Sequence, residues 1–350
     1  MSEHFVNSMP NLFKAPFRQL LHMQSRQLIN STYSFPTLRT RTEEMLDLIH
    51  RLAPRKTREP LIRVGPHGDG GYLVPNDFEG VYALFSPGVS SISGFEKECA
   101  SMGLKVFMAD KSVDRPAEED PNFEFTKKYI GCVEDDDFMT LDSWIAAALP
   151  QGCTDDLVLQ MDIEGAEYES IISITNGHLR RFRLIVVEFH LLDQLWSRPF
   201  FDVASRAFAK LLQFHTCVHI HPNNCCGSVD LDGIVIPRFA EFTFLRNDRG
   251  VLPGYVESLP HPLDVDCTAK PTLSLHPVWL GSDQGQGLSA LASLWYVQQD
   301  AARPLRDLFE LCKELSQKVS ICRNVRNSKA GDLLQERTGN LALLSFIGRT

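Results

Sequence analysis

The spacing of hydrophobic and polar positions divides the chain into three parts. Residues 42–52 (TEEMLDLIHRL) have apolar side chains three and four positions apart behind a threonine that can cap a helix, so we predict a helical N-terminal extension over residues 1–58. Over residues 59–250, short apolar runs alternate with stretches of helical spacing, which is typical of a parallel sheet with crossover helices. Residues 251–350 begin rich in proline and glycine and return to helical spacing at 303–319. This last part predicts a linker and a helical C-terminal appendix, which can cap the domain, bind a partner or mediate homo-oligomerisation.

The middle part predicts seven strands separated by helices. The apolar runs predicted as strands are residues 81–86, 105–110, 125–131, 157–163, 184–190, 216–222 and 240–246. The stretches with helical periodicity are residues 95–103, 140–149, 166–174 and 200–215, and Gly103 is well placed to end the first of them. Helices between the first six strands and none before the seventh predict an α/β fold, the methyltransferase variant of the doubly wound Rossmann-like sheet.

The turn after the first strand, SPGVSSISGFE, is a candidate cradle for a nucleoside-like cofactor, because ligands of doubly wound sheets lie outside the carboxyl ends of the strands. Gly88 allows a tight turn, Gly94 allows a close helix approach, and Ser86 opens a serine-rich run with hydroxyl and backbone N–H groups near a helix start. Asp110 ends the next strand, where a carboxylate can accept hydrogen bonds from ribose hydroxyls. Glycine-rich turns and aspartates at strand ends are also common where no ligand binds, so a purely structural role for these residues stays open.

The segment QMDIEGAEYESI, residues 160–171, resembles the signature of FkbM-type methyltransferases, in which a strand runs through an acidic D-x-E-G-A-E turn into a helix. Other segments resemble one branch of that family in the same order: GDGGYLV at 68–74, TLDSW at 140–144, RFRLIVVEFH at 181–190 and NNCCGSVDLDGIVIPRFAEFTFLRND at 223–248. The resemblance runs from about residue 61 to residue 248. It implies a seven-stranded Rossmann-like fold, S-adenosylmethionine as the methyl donor, and methylation of an oxygen on a small molecule or sugar.

Methyl transfer from a sulfonium requires an acceptor aligned behind the methyl group and, for a hydroxyl, a group that removes its proton. Asp162 and Glu164 lie at the carboxyl end of the fourth strand, so we predict that they face the crevice and orient the donor or act on the acceptor, with Asp162 also assigned to donor binding. His190 ends the fifth strand just after Glu188 and is our candidate general base. The structural alternative is that Asp162 or Glu164 caps the following helix.

Two histidines near the end of the sixth strand, His219 and His221, lie on one face of that strand. Together with Asp162, Glu188 or His190 they can form a divalent metal site. Strand histidines are more often a polar rim than a ligand set, so we assign no metal ligand from the sequence.

The first loop departs from the common methyltransferase pattern. Ser86-Pro87-Gly88 stands where many members have an acidic residue followed by G-x-G-x-G. This departure keeps a second hypothesis open, in which the fold serves as a catalytically degenerate binding or scaffolding module. A third, an NAD-dependent enzyme, lacks the G-x-G-x-x-G motif after the first strand.

Charge and composition bear on partners and location. The net charge of -9 argues against nucleic-acid partners, because such binding depends on clustered Lys and Arg, so we expect a small-molecule or glycan acceptor. The sequence shows no signal-peptide pattern and no transmembrane segment, since no apolar run approaches the roughly 20 residues that span a bilayer. The nine cysteines form no CxxC pair, which favours reduced thiols and a cytoplasmic protein.

Overall fold

Strands dominate the architecture. The computed structural model describes residues 37–89 and 92–281, and elements are numbered here in chain order over those residues. The strands are β1 Arg55–Thr57, β2 Leu61–Val64, β3 Tyr72–Pro75, β4 Val81–Pro87, β5 Lys105–Ala109, β6 Phe123–Thr126, β7 Tyr129–Ile130, β8 Phe138–Met139, β9 Asp156–Met161, β10 Phe182–Phe189, β11 His215–Pro222, β12 Ser228–Leu231, β13 Ile234–Pro237, β14 Ala240–Arg246 and β15 Val251–Tyr255.

Seven of these strands form one mixed sheet in the order β6-β5-β4-β9-β10-β14-β11. Strands β4, β5, β6, β9 and β10 pair in parallel, and β14 runs antiparallel between β10 and β11. This order is the methyltransferase variant of the Rossmann-like α/β fold, so the predicted fold class is confirmed. The chain moves outward from β4 to β6 and then returns to β9 on the other side, which places the ligand crevice at the carboxyl ends of β4 and β9.

The helices of the described residues lie between the strands. They are α1 Thr42–Leu52, α2 Gly94–Ser101, α3 Leu141–Ala148, α4 Glu167–Ser173, α5 Asn176–Leu179 and α6 Arg198–Leu211, with 3-10 turns at Leu192–Trp196 and Pro277–Trp279. The side chain of Thr140 accepts a hydrogen bond from the Ser143 amide and so caps α3. Gly103 has a φ of 94° just beyond α2, the left-handed conformation that ends a helix, as predicted.

Two details of the predicted pattern are wrong. The third strand of the sheet is β6, at residues 123–126, whereas we predicted residues 125–131; the later part of that run forms the short β7, which pairs with β8 outside the large sheet. No helix separates β5 from β6 in this described part of the chain. Residues 123–131 (FEFTKKYIG) have apolar positions in both halves, so the pattern allows a strand in either half, and only pairing with β5 selects the earlier one.

Apolar side chains pack on both faces of the sheet. One face buries Phe85, Leu159 and Ile185 beneath α1, α3, α4 and α6. The other buries Leu84 and Val158 beneath α2 and the hairpin formed by β2 and β3. Strand β10 is buried at every position, as expected for a central strand covered on both faces.

The ends of the described region also pack on the sheet. Strand β1 pairs with β15. The middle part was predicted to begin after residue 58 and to end at residue 250, so segments from both sides of it contact one another. Trp279 is fully buried in the same cluster as α1. The domain limits stay a prediction, and the predicted helix at 303–319, with its proposed role in homo-oligomerisation, lies outside the described residues.

A buried ion-pair network connects the amino-terminal ends of β9 and β10 to each other. Arg183, with a side chain only 6% exposed, lies 2.8 Å from Asp156 Oδ2 and 3.2 Å from Asp77 Oδ1. Arg246 of β14 also contacts Asp156, at 2.5 Å. Two cations therefore share one carboxylate that is itself mostly buried.

Replacing Asp156 with alanine should destabilise the protein by about 3 kcal/mol, because removing one partner of a buried pair leaves an uncompensated charge. The matched control is Glu257→Ala, which breaks an exposed pair with Lys56 and should cost no more than about 1 kcal/mol. Urea unfolding followed by circular dichroism measures both. Equal losses in the two variants would contradict the assigned role of Asp156.

Candidate active site at the carboxyl ends of β4, β9 and β10

The turn after β4 lies directly against the end of β9. Gly88 has a φ of 92°, and a Cβ atom there would come within 1.6 Å of the Asp162 carbonyl oxygen. The Gly88 amide donates to the Ala109 carbonyl at 3.0 Å, which ties the same turn to β5. The predicted tight turn is present, and only glycine fits it.

The other residues predicted in this loop have different surroundings. Ser86 is fully buried, with Oγ 2.5 Å from Glu96 Oε1 and 2.6 Å from Gln160 Oε1, so its hydroxyl is engaged within the protein. Gly94 begins α2, and a Cβ atom there would lie 2.7 Å from Pro66 Cδ. The close approach that Gly94 permits is therefore to the segment before β3. Ser90 and Ser91 lie outside the described residues.

Asp110 follows β5 at the same edge of the sheet. Its Oδ1 accepts hydrogen bonds from the amide and the hydroxyl of Ser112, both at 2.6 Å. The carboxylate is half-exposed, which leaves it accessible from the crevice.

The acidic turn between β9 and α4 is closed by Glu167. Glu164 has a φ of 57° and Gly165 a φ of 109°, so two successive residues adopt left-handed conformations. Glu167 Oε1 accepts hydrogen bonds from the amides of Ile163 at 3.2 Å and Gly165 at 3.0 Å. The side chain of Glu167 is fully buried, so this unusual backbone is held by a carboxylate inside the protein.

His190 brings this turn together with the end of β10. Its Nδ1 lies 3.0 Å from Glu167 Oε1, and its Nε2 lies 3.4 Å from Glu164 Oε2 and 3.8 Å from Asp162 Oδ1. The Tyr168 hydroxyl donates to the His190 carbonyl at 2.7 Å. The structure thus groups His190, Asp162 and Glu164, the three residues predicted to carry the chemistry, and adds Glu167 as the group that orients the imidazole.

The DIEGAE motif is the sequence feature that points to Glu167, which is its last residue. Periodicity places it on α4 but does not show that its carboxylate turns back toward His190.

Carboxylates and burial set the ionisation of this cluster. Burial acts to lower the pKa of His190, but the hydrogen bond and charge of Glu167, followed by the charges of Asp162 and Glu188, raise that pKa to about 9. Burial, opposed by the charge of His190, raises the pKa of Asp162 to about 6. At neutral pH the imidazole is therefore mostly protonated and Asp162 is mostly ionised.

Glu188 extends the cluster along the next strand. Burial, together with the charges of Asp162 and Glu241, raises the pKa of Glu188 to about 9. The Asn223 side-chain amide donates to Glu188 Oε1 at 2.8 Å. Glu188 is therefore protonated at neutral pH beside the ionised Asp162.

The two strand histidines do not join this group. His219 Nε2 lies 2.8 Å from Asp264 Oδ1, and His221 Nδ1 lies 3.1 Å from Glu241 Oε2. Within residues 37–89 and 92–281, neither lies within metal-ligand distance of Asp162 or His190. The ligand atoms of Asp162, Glu164 and His190 do lie within 4.8 Å of one another, so these three can hold a cation without either strand histidine.

Comparison with known proteins finds likenesses among solved structures but none in sequence. No protein-family model matches the chain, and no curated protein is similar to it in sequence. The crystal structure of the 23S rRNA methyltransferase ErmE is similar over 62% of this chain and 72% of that chain, at a TM-score of 0.28 and 10% sequence identity. The fold assignment follows from the strand order above, and membership of the FkbM-type family stays a prediction.

The exclusion of nucleic acid as a partner is wrong. The name of the structural neighbour ErmE gives a nucleic-acid substrate, 23S rRNA, for that protein alone. Net negative charge was not a sound basis for the exclusion. The reason is that net charge sums over a whole chain, whereas recognition of a phosphate backbone depends on where the Lys and Arg side chains lie.

Two predictions about location are addressed only in part. None of the helices within the described ranges is long and apolar enough to cross a membrane. The structure joins no two cysteines in those ranges by a disulfide, and the reduced state of the thiols stays a prediction. The cytoplasmic location stays a prediction.

Replacing Glu188 with glutamine should stabilise the protein at pH 8 and change little at pH 5. Glu188 has a pKa of about 9 when folded and about 4.5 when unfolded, so the folded state holds more protons between those values and its stability falls as pH rises. Glutamine removes this penalty while still accepting the hydrogen bond from Asn223. We expect the melting temperature at pH 8 to rise by a few degrees, since about 1 kcal/mol shifts it by about 2–4 °C in a domain of this size.

The control is Glu124→Gln, because Glu124 is exposed on β6. It should leave the melting temperature unchanged at both pH values. A Glu188→Gln protein that is no more stable than the wild type at pH 8 would show that Glu188 is not held in its protonated form.

Proposed function

We propose that the protein is an S-adenosylmethionine-dependent methyltransferase that methylates a hydroxyl oxygen of a small molecule or sugar. The observation that carries the proposal is the contact between the Gly88 turn and the Asp162–His190 cluster at the point where the strand order reverses. A cofactor bound at this turn would therefore lie beside an acid–base group. The FkbM-type resemblance of the DIEGAE turn supports the same reading.

The residues at this edge fit the chemistry of the donor. When bound, S-adenosylmethionine supplies a methyl group on a positively charged sulfonium. Gly88 lets the backbone of its turn lie directly against the end of β9, and Asp110 offers a half-exposed carboxylate to ribose hydroxyls. Asp162 Oδ1 is buried with no hydrogen-bond partner among the described residues, so it can accept a hydrogen bond or compensate a positive charge.

His190 is proposed to take the proton of the acceptor hydroxyl at Nε2. Its Nδ1 is held by Glu167, so the ring is fixed and Nε2 points toward Asp162 and Glu164. A pKa of about 9 makes neutral His190 a minor species at pH 7, and a positively charged ligand nearby would lower that pKa. Glu164, with a side chain 88% exposed, is free to contact the acceptor.

Replacing Asp110 with alanine should weaken binding of S-adenosylmethionine about tenfold or more, because hydrogen bonds to a charged group contribute about 1.5–3 kcal/mol. Isothermal titration calorimetry with S-adenosylmethionine and with its demethylated product measures the change. The control is Asp114→Ala, since Asp114 is exposed and pairs with Lys127. If the wild-type protein binds neither compound, the proposed donor is wrong and the binding or scaffolding module becomes the better reading.

Replacing His190 with glutamine should leave donor binding intact and lower turnover about 100-fold or more, the usual contribution of a general base. In the wild type, kcat/KM should rise with pH toward about 9, because the neutral imidazole becomes more populated as pH passes through the folded pKa. The control is His178→Gln, a histidine that pairs with Asp142 away from this edge. A pH dependence with a midpoint near 6 that survives in His190→Gln would identify Asp162 as the base.

Turnover can be followed with a donor labelled in its methyl group and cell extract as the acceptor source. Extract divided into a small-molecule filtrate, a ribonuclease-treated fraction and an untreated fraction separates acceptor classes. Label in the filtrate, in products stable to mild base, supports O-methylation of a small hydroxyl compound. Label that appears only in RNA would overturn the proposed acceptor and retain the proposed reaction.

A further inference from the structure

A second cluster of ligating side chains lies beyond the proposed active site. His221 of β11 and Glu241 of β14 are direct neighbours across two antiparallel strands, and Glu241 is in turn the neighbour of Glu188 on β10. Cys267, which follows β15 along the chain, approaches the same carboxylate. One imidazole nitrogen, one thiol sulfur and one carboxylate oxygen of these three residues all lie within 4.8 Å of one another.

The carboxylate of Glu241 lies between the other two ligand groups. His221 Nδ1 lies 3.1 Å from Glu241 Oε2, and Cys267 Sγ lies 3.5 Å from Oε1 of the same carboxylate. In tetrahedral zinc with the usual bond lengths, neighbouring ligand atoms are about 3.3–3.6 Å apart. One ligand atom from each of the three residues already lies within 4.8 Å of the other two, so all three side chains can reach one ion.

Cys267 is held in place from both sides. Before it, Asp264 contacts His219 of β11 at 2.8 Å. After it, the Asn224 side chain donates to the carbonyls of Thr268 and Lys270 and accepts from the Thr268 amide. Because the flanking backbone is anchored to the end of β11, the position of the thiol does not depend on a metal.

The charge around the cluster favours a cation. Glu188 and Glu241 are both buried, and through Asp162 they continue into the active-site cluster. Buried carboxylates are costly unless a positive group compensates them or they take up a proton. A divalent ion beside Glu241 would compensate this row of acids.

We propose that His221, Glu241 and Cys267 bind a zinc ion. A thiolate, an imidazole and a carboxylate form the mixed nitrogen, sulfur and oxygen set that zinc accepts, whereas magnesium and calcium take oxygen ligands. Binding releases the thiol proton of Cys267 to solvent. The ion would join the segment around Cys267 to β11 and β14, and this role does not depend on whether the protein transfers methyl groups.

The test uses the full-length protein, stripped of metal with a chelator and reloaded with zinc or cobalt. Inductively coupled plasma mass spectrometry should find about one zinc per chain in the wild type and in Cys153→Ser, whose half-buried thiol lies before β9. Cys267→Ser and His221→Ala should bind zinc about tenfold or more weakly. Cobalt should produce a thiolate-to-metal charge-transfer band in the wild type and in Cys153→Ser, but not in Cys267→Ser.

A readout on the wild type alone avoids any folding defect of the variants. Zinc should slow alkylation of Cys267 and leave the alkylation rate of Cys153 unchanged, as measured by peptide mass mapping. Equal alkylation of Cys267 with and without zinc would overturn the site, as would a charge-transfer band that persists in Cys267→Ser. A metal-free protein that still binds S-adenosylmethionine would leave the proposed function untouched.

Discussion

The buried carboxylate of Glu167 makes the contacts on which the candidate site depends. One of its oxygens accepts from two amides of the acidic turn and also contacts the imidazole of His190. The turn carries two successive left-handed residues, a conformation that costs free energy for Glu164 and persists only where surrounding contacts hold it. Glu167 therefore fixes both the backbone of the turn after β9 and the side chain of His190 at the end of β10.

The second constraint is the accumulation of acids on one face of the sheet. Glu188 and Glu241 occupy neighbouring positions on β10 and β14, and Asp162 lies beside Glu188 at the end of β9. Their mutual repulsion and burial explain why Glu188 keeps its proton at neutral pH while Asp162 loses it. These buried acids favour a positively charged ligand. The proposed methyl donor and the proposed zinc ion would both supply that positive charge.

Much of the sheet was predictable because its strands are continuous apolar runs. β4, β10 and β14 appear almost where the pattern placed them, since burial on both faces leaves little alternative to a central strand. The edge strand β6 was misplaced, because polar residues alternate through that region and several registers satisfy the pattern. The grouping of Asp162, Glu164 and His190 was also predictable, since all three follow strands that neighbour one another in this fold.

By itself, the sequence determined the order of elements, the class of sheet and the edge at which the candidate site residues lie, because hydrophobic periodicity and parallel topology are properties of the chain taken in order. Only the tertiary structure decided which side chain each carboxylate contacts. Ser86 is drawn into a buried network, Glu167 rather than Asp162 holds Nδ1 of His190, and Cys267 meets residues more than twenty positions away along the chain. Side-chain contacts across strands depend on register and burial, and local patterns contain neither.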